Sequence, residues 1–339
     1  MTAVAMLAAG CGKQGAQEEG VPEDRAIRVS AQVGGTTRSS HEAGTPESLK
    51  EFDLLVDTFV GGQDPSIYSS NGYSYANSKF CYDSESGEWV PSETASKMLW
   101  YNSTTKVRVA AMAPCRMEGS YTLGWNYANT QLLNGVSGNL HTAVTFEVQQ
   151  EQLKDDYSSD LLFYYQKDVT PMDLLKDGKL PITFQHMLSN LVITFKLGTE
   201  FNNTGVPQTD IISDVVVSGT KRSVRFKQGD NFTLSLVPIG DASDVKPYNS
   251  SWTSAADKDG NCVSVYKCIL APQTVAADQF KLTFNVAGKA YNWTLPTEYV
   301  FEGNIIHYLS LRVGKDVVLL DGVSTTKWTE VDAGTIETD

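Results

Sequence analysis

The clearest hydrophobic pattern near the start of the chain is an alternation of apolar and polar residues. Ile27, Val29, Ala31 and Val33 are apolar, whereas every residue between them is polar. A period of two places apolar side chains on one face of a β-strand and polar side chains on the other. The pattern therefore predicts a half-buried first strand, which ends at the glycine pair 34–35.

The same period recurs along the chain and predicts further short strands. Alternating or continuous apolar runs occupy the segments 52–60, 107–112, 142–148, 182–188, 191–197, 307–313 and 317–320. Turn residues between neighbouring runs predict three hairpins. These hairpins pair 182–188 with 191–197, 224–226 with 232–236, and 282–286 with 291–295. The segment 317–320 is apolar on both faces, as expected for a buried strand.

Helical periodicity is nearly absent from the sequence. The most helix-like window, 149–160, is short and weakly amphipathic, so it predicts one helical turn or a solvated loop. Many short strands without alternating helices indicate an all-β chain of two β-sandwiches. A length of 339 residues suits two domains. We place the N-terminal sandwich at 39–175 and the C-terminal sandwich at 176–339.

Composition and charge exclude several classes of partner. The net charge is −13 and the basic residues are scattered, so nucleic acid is not an expected partner. No apolar run approaches the roughly 18 residues that a membrane-spanning helix needs. Any attachment to a membrane would have to be covalent.

Such an attachment is indicated at Cys11. Ala8, Ala9 and Gly10 precede this cysteine, and small residues before a cysteine are typical of bacterial lipoprotein signals, in which the cysteine is lipidated and becomes the new N-terminus. We interpret 1–11 as a lipoprotein signal; a chance cysteine in a small-residue N-terminus is the alternative. The segment 12–24 is too polar to bury anything and predicts a solvated tether.

The other cysteines give no motif for a metal or redox site. Cys262 and Cys268 lie six residues apart in one predicted strand, about 20 Å at the usual rise, which is too far for a disulfide. Cys81 and Cys115 could pair, and the sequence does not decide whether they do. No Cys-x-x-Cys occurs, so neither zinc nor another cofactor is expected.

Catalytic motifs are also absent from the sequence. It contains no Gly-x-Ser-x-Gly, His-Glu-x-x-His or P-loop. His186 lies on an apolar strand face, where a core histidine is the favoured interpretation. The acidic groups at 155–160 and 257–261 resemble cation loops only in part, since the glutamate that closes an EF-hand loop is missing. We expect no enzyme and no metal.

Several motifs in sequence order resemble those of the Bacteroidales fimbrillins, the FimA-like and Mfa-like subunits of type V pili. They span nearly the whole chain: Cys11, the first strand followed by Arg38, Trp89 and Trp100 ahead of Val107–Pro114, Asp160–Leu162, Leu180–Leu191, and Tyr308 followed by Trp328.

The resemblance implies two tandem transthyretin-like β-sandwich domains of Greek-key type and export as an outer-membrane lipoprotein. It also implies that an Arg-specific protease removes the first strand, so that 12–38 comprises a tether and a removable strand. Donor-strand exchange would then follow, in which another pilus subunit fills the groove vacated by Ile27, Val29, Ala31 and Val33. We expect cleavage after Arg38, since Arg25 and Arg28 lie before or inside the strand.

Three functions remain open at this point. The first is a pilus subunit, located at the outer membrane and in the surface fimbrium, that supports adhesion. The second is a non-polymerising surface lipoprotein that binds a glycan or host ligand through aromatic loops at 64–89 and 125–129; the third is a hydrolase of unknown type. The C-terminal tail spaces its apolar residues irregularly and carries acids, which makes it a poor donor strand. A tip or accessory subunit is therefore favoured over a stalk subunit.

Overall fold

The computed structural model describes most of the chain. The described residues are 21–34, 49–58, 69–70, 73–74, 78–92, 98–115, 140–201, 211–228, 234–253 and 261–328. The all-β fold class expected from the sequence is confirmed, since strands dominate these ranges. No helix within them is long and apolar enough to cross a bilayer.

Ten strands occur in the described ranges before residue 187. They are β1 Val29–Val33, β2 Glu51–Thr58, β3 Ser69–Ser70, β4 Tyr73–Ser74, β5 Ser78–Asp83, β6 Glu88–Pro91, β7 Val107–Ala113, β8 Leu140–Glu147, β9 Leu162–Val169 and β10 Leu180–His186. A single helical turn, α1 (Pro171–Leu174), begins at the N-cap Thr170, whose hydroxyl accepts a hydrogen bond from the Asp173 amide.

Twelve described strands follow. They are β11 Ser189–Leu197, β12 Ile212–Ser218, β13 Lys221–Gln228, β14 Leu234–Ala242, β15 Tyr248–Thr253, β16 Cys262–Leu270, β17 Gln273–Val275, β18 Lys281–Val286, β19 Lys289–Thr294, β20 Tyr299–Phe301, β21 Ile305–Val313 and β22 Val318–Lys327. A short 3-10 turn covers Thr199–Phe201.

The first half of the chain forms a closed sheet of seven strands. Their order is β1-β10-β9-β7-β2-β5-β6, and β6 meets β1 to close the ring. The inward faces carry the apolar residues of each strand, including Phe52, Leu54 and Val56 of β2, which are fully buried. The shared core of Phe52, Leu54 and Val56 agrees with the predicted face, but Asp53 between the first two is also buried, so burial along β2 does not alternate.

The second half packs two sheets face to face. A five-stranded sheet, β15-β16-β11-β21-β22, shares one core with a three-stranded sheet, β12-β18-β19. Phe195 of the first sheet and Phe284 of the second meet in this core with ring centroids 4.7 Å apart. The remaining strands of this half lie in two smaller sheets, β17-β20 and β14-β13-β8, the second of which includes β8 from the first half of the chain.

A third core joins the two halves. Outward-facing residues of β7 and β9 pack there against residues of β8, β11, β13, β16 and β21. Trp328 is fully buried in this core, and its indole stacks on His186 at 4.0 Å with an interplanar angle of 4°. His186 Nδ1 in turn lies 2.8 Å from Asp160 Oδ1. His186 is therefore a buried core histidine, as favoured from the sequence.

Two of the three predicted hairpins form. Strands β18 and β19 pair across a turn at Ala287 and Gly288. Both turn residues have positive φ, as a tight hairpin turn requires. Strands β13 and β14 also pair in the predicted order. The hairpin expected between 182–188 and 191–197 is wrong, because β10 pairs with β1 and β9 whereas β11 pairs with β16 and β21.

This pairing bears on the domain boundary. β10 belongs to the closed sheet and β11 to the second sandwich, so the chain passes from one to the other at residues 187–188. The boundary expected at 175/176 would separate β10 from its partners. Two domains divided near residue 188 are our revised proposal.

Other local expectations are also corrected. The window 149–160 contains turns and one isolated bridge, Glu151–Lys246, so of its two predicted forms the loop is the one that occurs, although Gln152, Ser159 and Asp160 within it are buried. The segment 317–320 is not buried: Leu319 and Leu320 are 53% and 43% exposed. They begin β22, an edge strand that pairs only with β21 in the described sheet.

Candidate functional site

The first strand lies in the wall of the closed sheet with one face inward. Ile27, Val29, Ala31 and Val33 are all buried, whereas the polar residues between them are exposed. The alternation predicted from the sequence is confirmed at these positions. The strand is thus an integral part of the core.

Backbone pairing holds β1 mainly to one neighbour. It runs parallel to β10 through five residue pairs, from Val29–Leu180 to Val33–Phe184. The Leu180 amide donates to the Arg28 carbonyl at 2.8 Å, and the Gly34 amide donates to the Phe184 carbonyl at 2.8 Å. On its other side β1 meets β6 at a single pair, Val29–Trp89. The closure of the sheet therefore depends on a short contact.

The packed element begins before β1. Ala26 forms a bridge with Leu99, and the Trp100 amide donates to the Arg25 carbonyl at 2.8 Å. Val21 is also buried in the core of the closed sheet. The expectation that all of 12–24 is a solvated tether is therefore wrong for Val21. Sequence reasoning missed these contacts because an isolated bridge leaves no periodic pattern.

The groove beneath β1 is apolar and aromatic. Leu180, Ile182 and Phe184 are the β10 partners of the three inward-facing residues of β1, and all three are fully buried. Phe52 packs behind them, with its ring centroid 5.4 Å from that of Phe184 and 4.9 Å from that of Trp89. An extended segment with alternating apolar residues fits this surface.

Loss of β1 would be costly for the fold. Its three inward apolar side chains and that of Ile27 just before it contribute about 1 kcal/mol or more each by burial, on average. Without it, β10 and β6 would each present unpaired backbone groups beside exposed aromatic rings, a combination that favours addition of another strand. The groove is therefore a strand-binding surface that the chain itself occupies.

The outward face of the element carries its charges. Arg28 donates two hydrogen bonds to the Asp24 carboxylate, at 3.0 Å and 2.5 Å. This contact holds the pKa of Asp24 below its usual range. Both side chains are about half exposed, so the pair contributes little to stability.

Two predicted site residues, Cys11 and Arg38, lie outside the described residues, and their roles stay predictions. None of the four cysteines in the described part of the chain forms a disulfide, so Cys81 and Cys115 do not pair. The Cys115 thiol donates to Asp53 Oδ1 at 3.0 Å. Cys262 and Cys268 both lie in β16. Burial raises the pKa of the Cys268 thiol far above its usual range, which makes it an inert core residue.

Two acidic residues of the segment 155–160 contact other groups of the chain. Asp156 accepts a hydrogen bond from the Ser158 amide, and Asp160 faces His186. Among the described residues, no group of three or more metal-ligating side chains converges. The second candidate loop, at 257–261, lies mostly outside them.

Of the two aromatic loops considered for glycan binding, 125–129 and part of 64–89 lie outside the described residues. Trp89 is an exception, and it is buried against Tyr82 and Phe52. It is therefore a core residue rather than a platform for a sugar.

One comparison with known proteins identifies a family, and another identifies chains of similar fold. A family model described as fimbrillin-like matches residues 57–328. No curated protein matches the chain. A protein from Bacteroides uniformis assigned to cell adhesion is similar in structure, with a TM-score of 0.55, 16% identity, and coverage of 91% of this chain and 99% of that one. Another from Bacteroides ovatus, also assigned to cell adhesion, has a TM-score of 0.56, 11% identity and the same coverage. At such identity the likeness concerns the fold alone.

A matched pair of substitutions tests the geometry of the first strand. Val29→Asp introduces a carboxylate at a site that is 1% exposed, and we expect it to lower the free energy of unfolding by about 3 kcal/mol or more. Ser30→Asp, on the exposed face of the same strand, is the control and should change it by less than about 0.5 kcal/mol. Urea denaturation followed by tryptophan fluorescence measures both, and equal effects would contradict the described orientation.

Proposed function

This chain is a member of the fimbrillin-like family, and we propose that it is a subunit of a bacterial type V pilus, assembled by strand exchange. The observation that carries the proposal is the first strand, whose four apolar residues fill a groove that other strands of the same sheet do not cover. The family and the similar adhesion proteins support a pilus or adhesion role. A structural rather than enzymatic role follows from this assignment.

The finer architecture belongs to the same proposal. The closed seven-stranded sheet and the two facing sheets of the second half are consistent with two tandem transthyretin-like β-sandwich domains. The first would provide the acceptor groove, and the second would be joined to it through the core around Trp328. Each subunit would then act as one mechanical unit in a fibre.

Maturation by an Arg-specific protease would empty the groove. Arg38 follows the last residue of β1 by five positions, whereas Arg25 and Arg28 lie within the packed element. The Arg25 carbonyl accepts a backbone hydrogen bond and Arg28 is paired with Asp24. A protease binds its substrate in an extended, accessible form, so Arg38 is the favoured site. Cleavage there would free the whole element that includes Ile27 to Val33.

Export as a lipoprotein would bring the subunit to the assembly site. In this proposal Cys11 carries the lipid, the residues after it form a tether, and the protein is located at the outer membrane before it enters the surface fimbrium. The acidic residues Glu18 and Glu19 resemble export signals of surface lipoproteins. Cleavage after Arg38 would release the mature subunit from its anchor.

The C-terminal end bears on the position in the pilus. Trp328 is buried against His186, and β22 pairs with β21 from Val318 to Lys327 with one bulge at Asp321. This end of the described chain is thus committed to its own fold, which supports a tip or accessory subunit that accepts a strand without donating one.

Substitution of the cleavage site tests maturation. We expect Arg38→Ala to retain the N-terminal element and to prevent incorporation into polymers that resist SDS, because the acceptor groove stays filled. Arg25→Ala is the matched control and should mature normally. N-terminal sequencing and gel laddering of surface extracts give the readout, and normal processing of Arg38→Ala would refute the assigned site.

Substitution of the lipid-bearing residue tests export. Cys11→Ala should remove labelling by a palmitate analogue and abolish recovery of the protein in the outer-membrane fraction, because no thiol remains to be acylated. Ser39→Ala provides a control beyond the cleavage site. Undiminished surface display of Cys11→Ala would rule out a lipid at this position.

Deletion of the tail tests whether this chain donates a strand. Removal of residues 329–339 leaves Trp328 in place and should preserve both folding and incorporation into pili. Trp328→Ala is a separate comparison, expected to destabilise the fold by about 3–5 kcal/mol. If the 329–339 deletion folds normally but no longer polymerises, the tail donates and the chain is a stalk subunit.

A further inference from the structure

The closed sheet opens between β9 and β10. Only two residue pairs join these strands, Phe163–Gln185 and Leu162–His186. Beyond these pairs β9 continues along β7, and β10 continues along β1. The two strands therefore separate and leave a cleft in the sheet.

This cleft has the size of a ligand site. Its volume is about 510 Å³, within the range of about 300–1,000 Å³ that is usual for small-molecule pockets. On its β10 wall the cleft is lined by Thr183 and Gln185, whose side chains are exposed while Ile182 and Phe184 point inward. On its β9 wall Tyr164 reaches the core of the closed sheet. The lining includes no residue of the first strand and none of the three β10 residues that pack under it, so the cleft is distinct from the groove that the first strand fills.

The lining combines aromatic rings with uncharged hydrogen-bonding groups. Its polar and aromatic side chains come from both strands and the turn between them: Tyr164, Tyr165, Gln166, Lys176, Thr183 and Gln185. Each glutamine amide offers two donors and one acceptor oxygen, and each hydroxyl both donates and accepts. No carboxylate lines the described cleft.

An extended peptide is a poor occupant for this cleft. The backbone groups of Leu180 and Phe184 point to β1. The backbone groups of the alternate residues Pro181 and Thr183 therefore point to the cleft. Pro181 has no N–H to donate, and proline on a strand edge prevents pairing. On the opposite wall, β9 is irregular against β7 near Asp168, whose φ is +56°. A bulge also blunts a strand edge.

The charge of the lining favours a neutral ligand. Lys176 is the one charged residue of the described lining. A single positive charge is too weak to hold an anionic ligand in the presence of salt. A purely apolar ligand would leave both glutamine amides without partners. The site suits a molecule with many neighbouring hydroxyls and C–H faces that can lie against the negative face of an aromatic ring.

From these features we propose that the cleft between β9 and β10 binds a neutral saccharide. Gln166 and Gln185 are exposed and supply the amides that bond to sugar hydroxyls. Thr183 Oγ1 accepts from Gln32 Nε2 at 3.2 Å, which leaves its hydroxyl hydrogen for the ligand. The ring of Tyr165 stacks on Phe163 at 6.4 Å with an interplanar angle of 8°, so the aromatic floor is held before the ligand arrives.

Titration with three neutral trisaccharides tests the site directly. Maltotriose, cellotriose and chitotriose are added to the purified full chain, and binding is followed by saturation-transfer NMR and calorimetry. We expect at least one to bind. Gln166→Ala and Gln185→Ala should each weaken that binding about fivefold, because each removes hydrogen bonds to the ligand. Thermal melting of each variant verifies that the fold is retained.

A matched control and a charged probe make the outcome decisive. Gln150→Ala changes an exposed glutamine outside the cleft and should leave the affinity unchanged. The proposal is overturned if no trisaccharide binds, if Gln150→Ala weakens binding as much as the cleft variants, or if 3′-sialyllactose binds more tightly than every neutral probe. Because the assay requires neither cleavage nor polymerisation, its failure would leave the pilus assignment standing, and the reverse also holds.

Discussion

Closure of the first sheet by β1 is the constraint on which the rest of this half depends. A sheet must pair or cover its edges, and here one five-residue strand connects β10 to β6. Its inward side chains complete an aromatic core around Phe52 that no other described strand covers. In the proposed strand exchange, a segment so central to packing would have to be replaced by an equivalent strand.

The core that joins the two halves would give the proposed exchange a stable frame. Trp328, near the C-terminus, packs on His186 at the end of β10, the strand that pairs with β1. His186 is hydrogen-bonded to Asp160, so its buried polar atom has a partner. Replacement of β1 would therefore occur beside a β10 that is held at its far end by both halves of the chain.

The sequence alone determined the class of fold and the first strand. Alternation at Ile27, Val29, Ala31 and Val33 is local information, because the period of side chains along a strand is set by backbone geometry. The same applies to the hairpin at 287–288, where a two-residue turn specifies its own register. The family resemblance likewise came from short motifs that are visible in order along the chain.

Only the tertiary structure decided which strands pair across long distances. Nothing local distinguishes β10 as a hairpin partner of β11 from β10 as a parallel neighbour of β1, because both arrangements bury the same residues. Exposure of Leu319 and Leu320 was likewise hidden, since an apolar segment has the same composition at an edge as in a sheet centre. The cleft between β9 and β10 arises from strands that diverge, and divergence depends on all their neighbours rather than on their own residues.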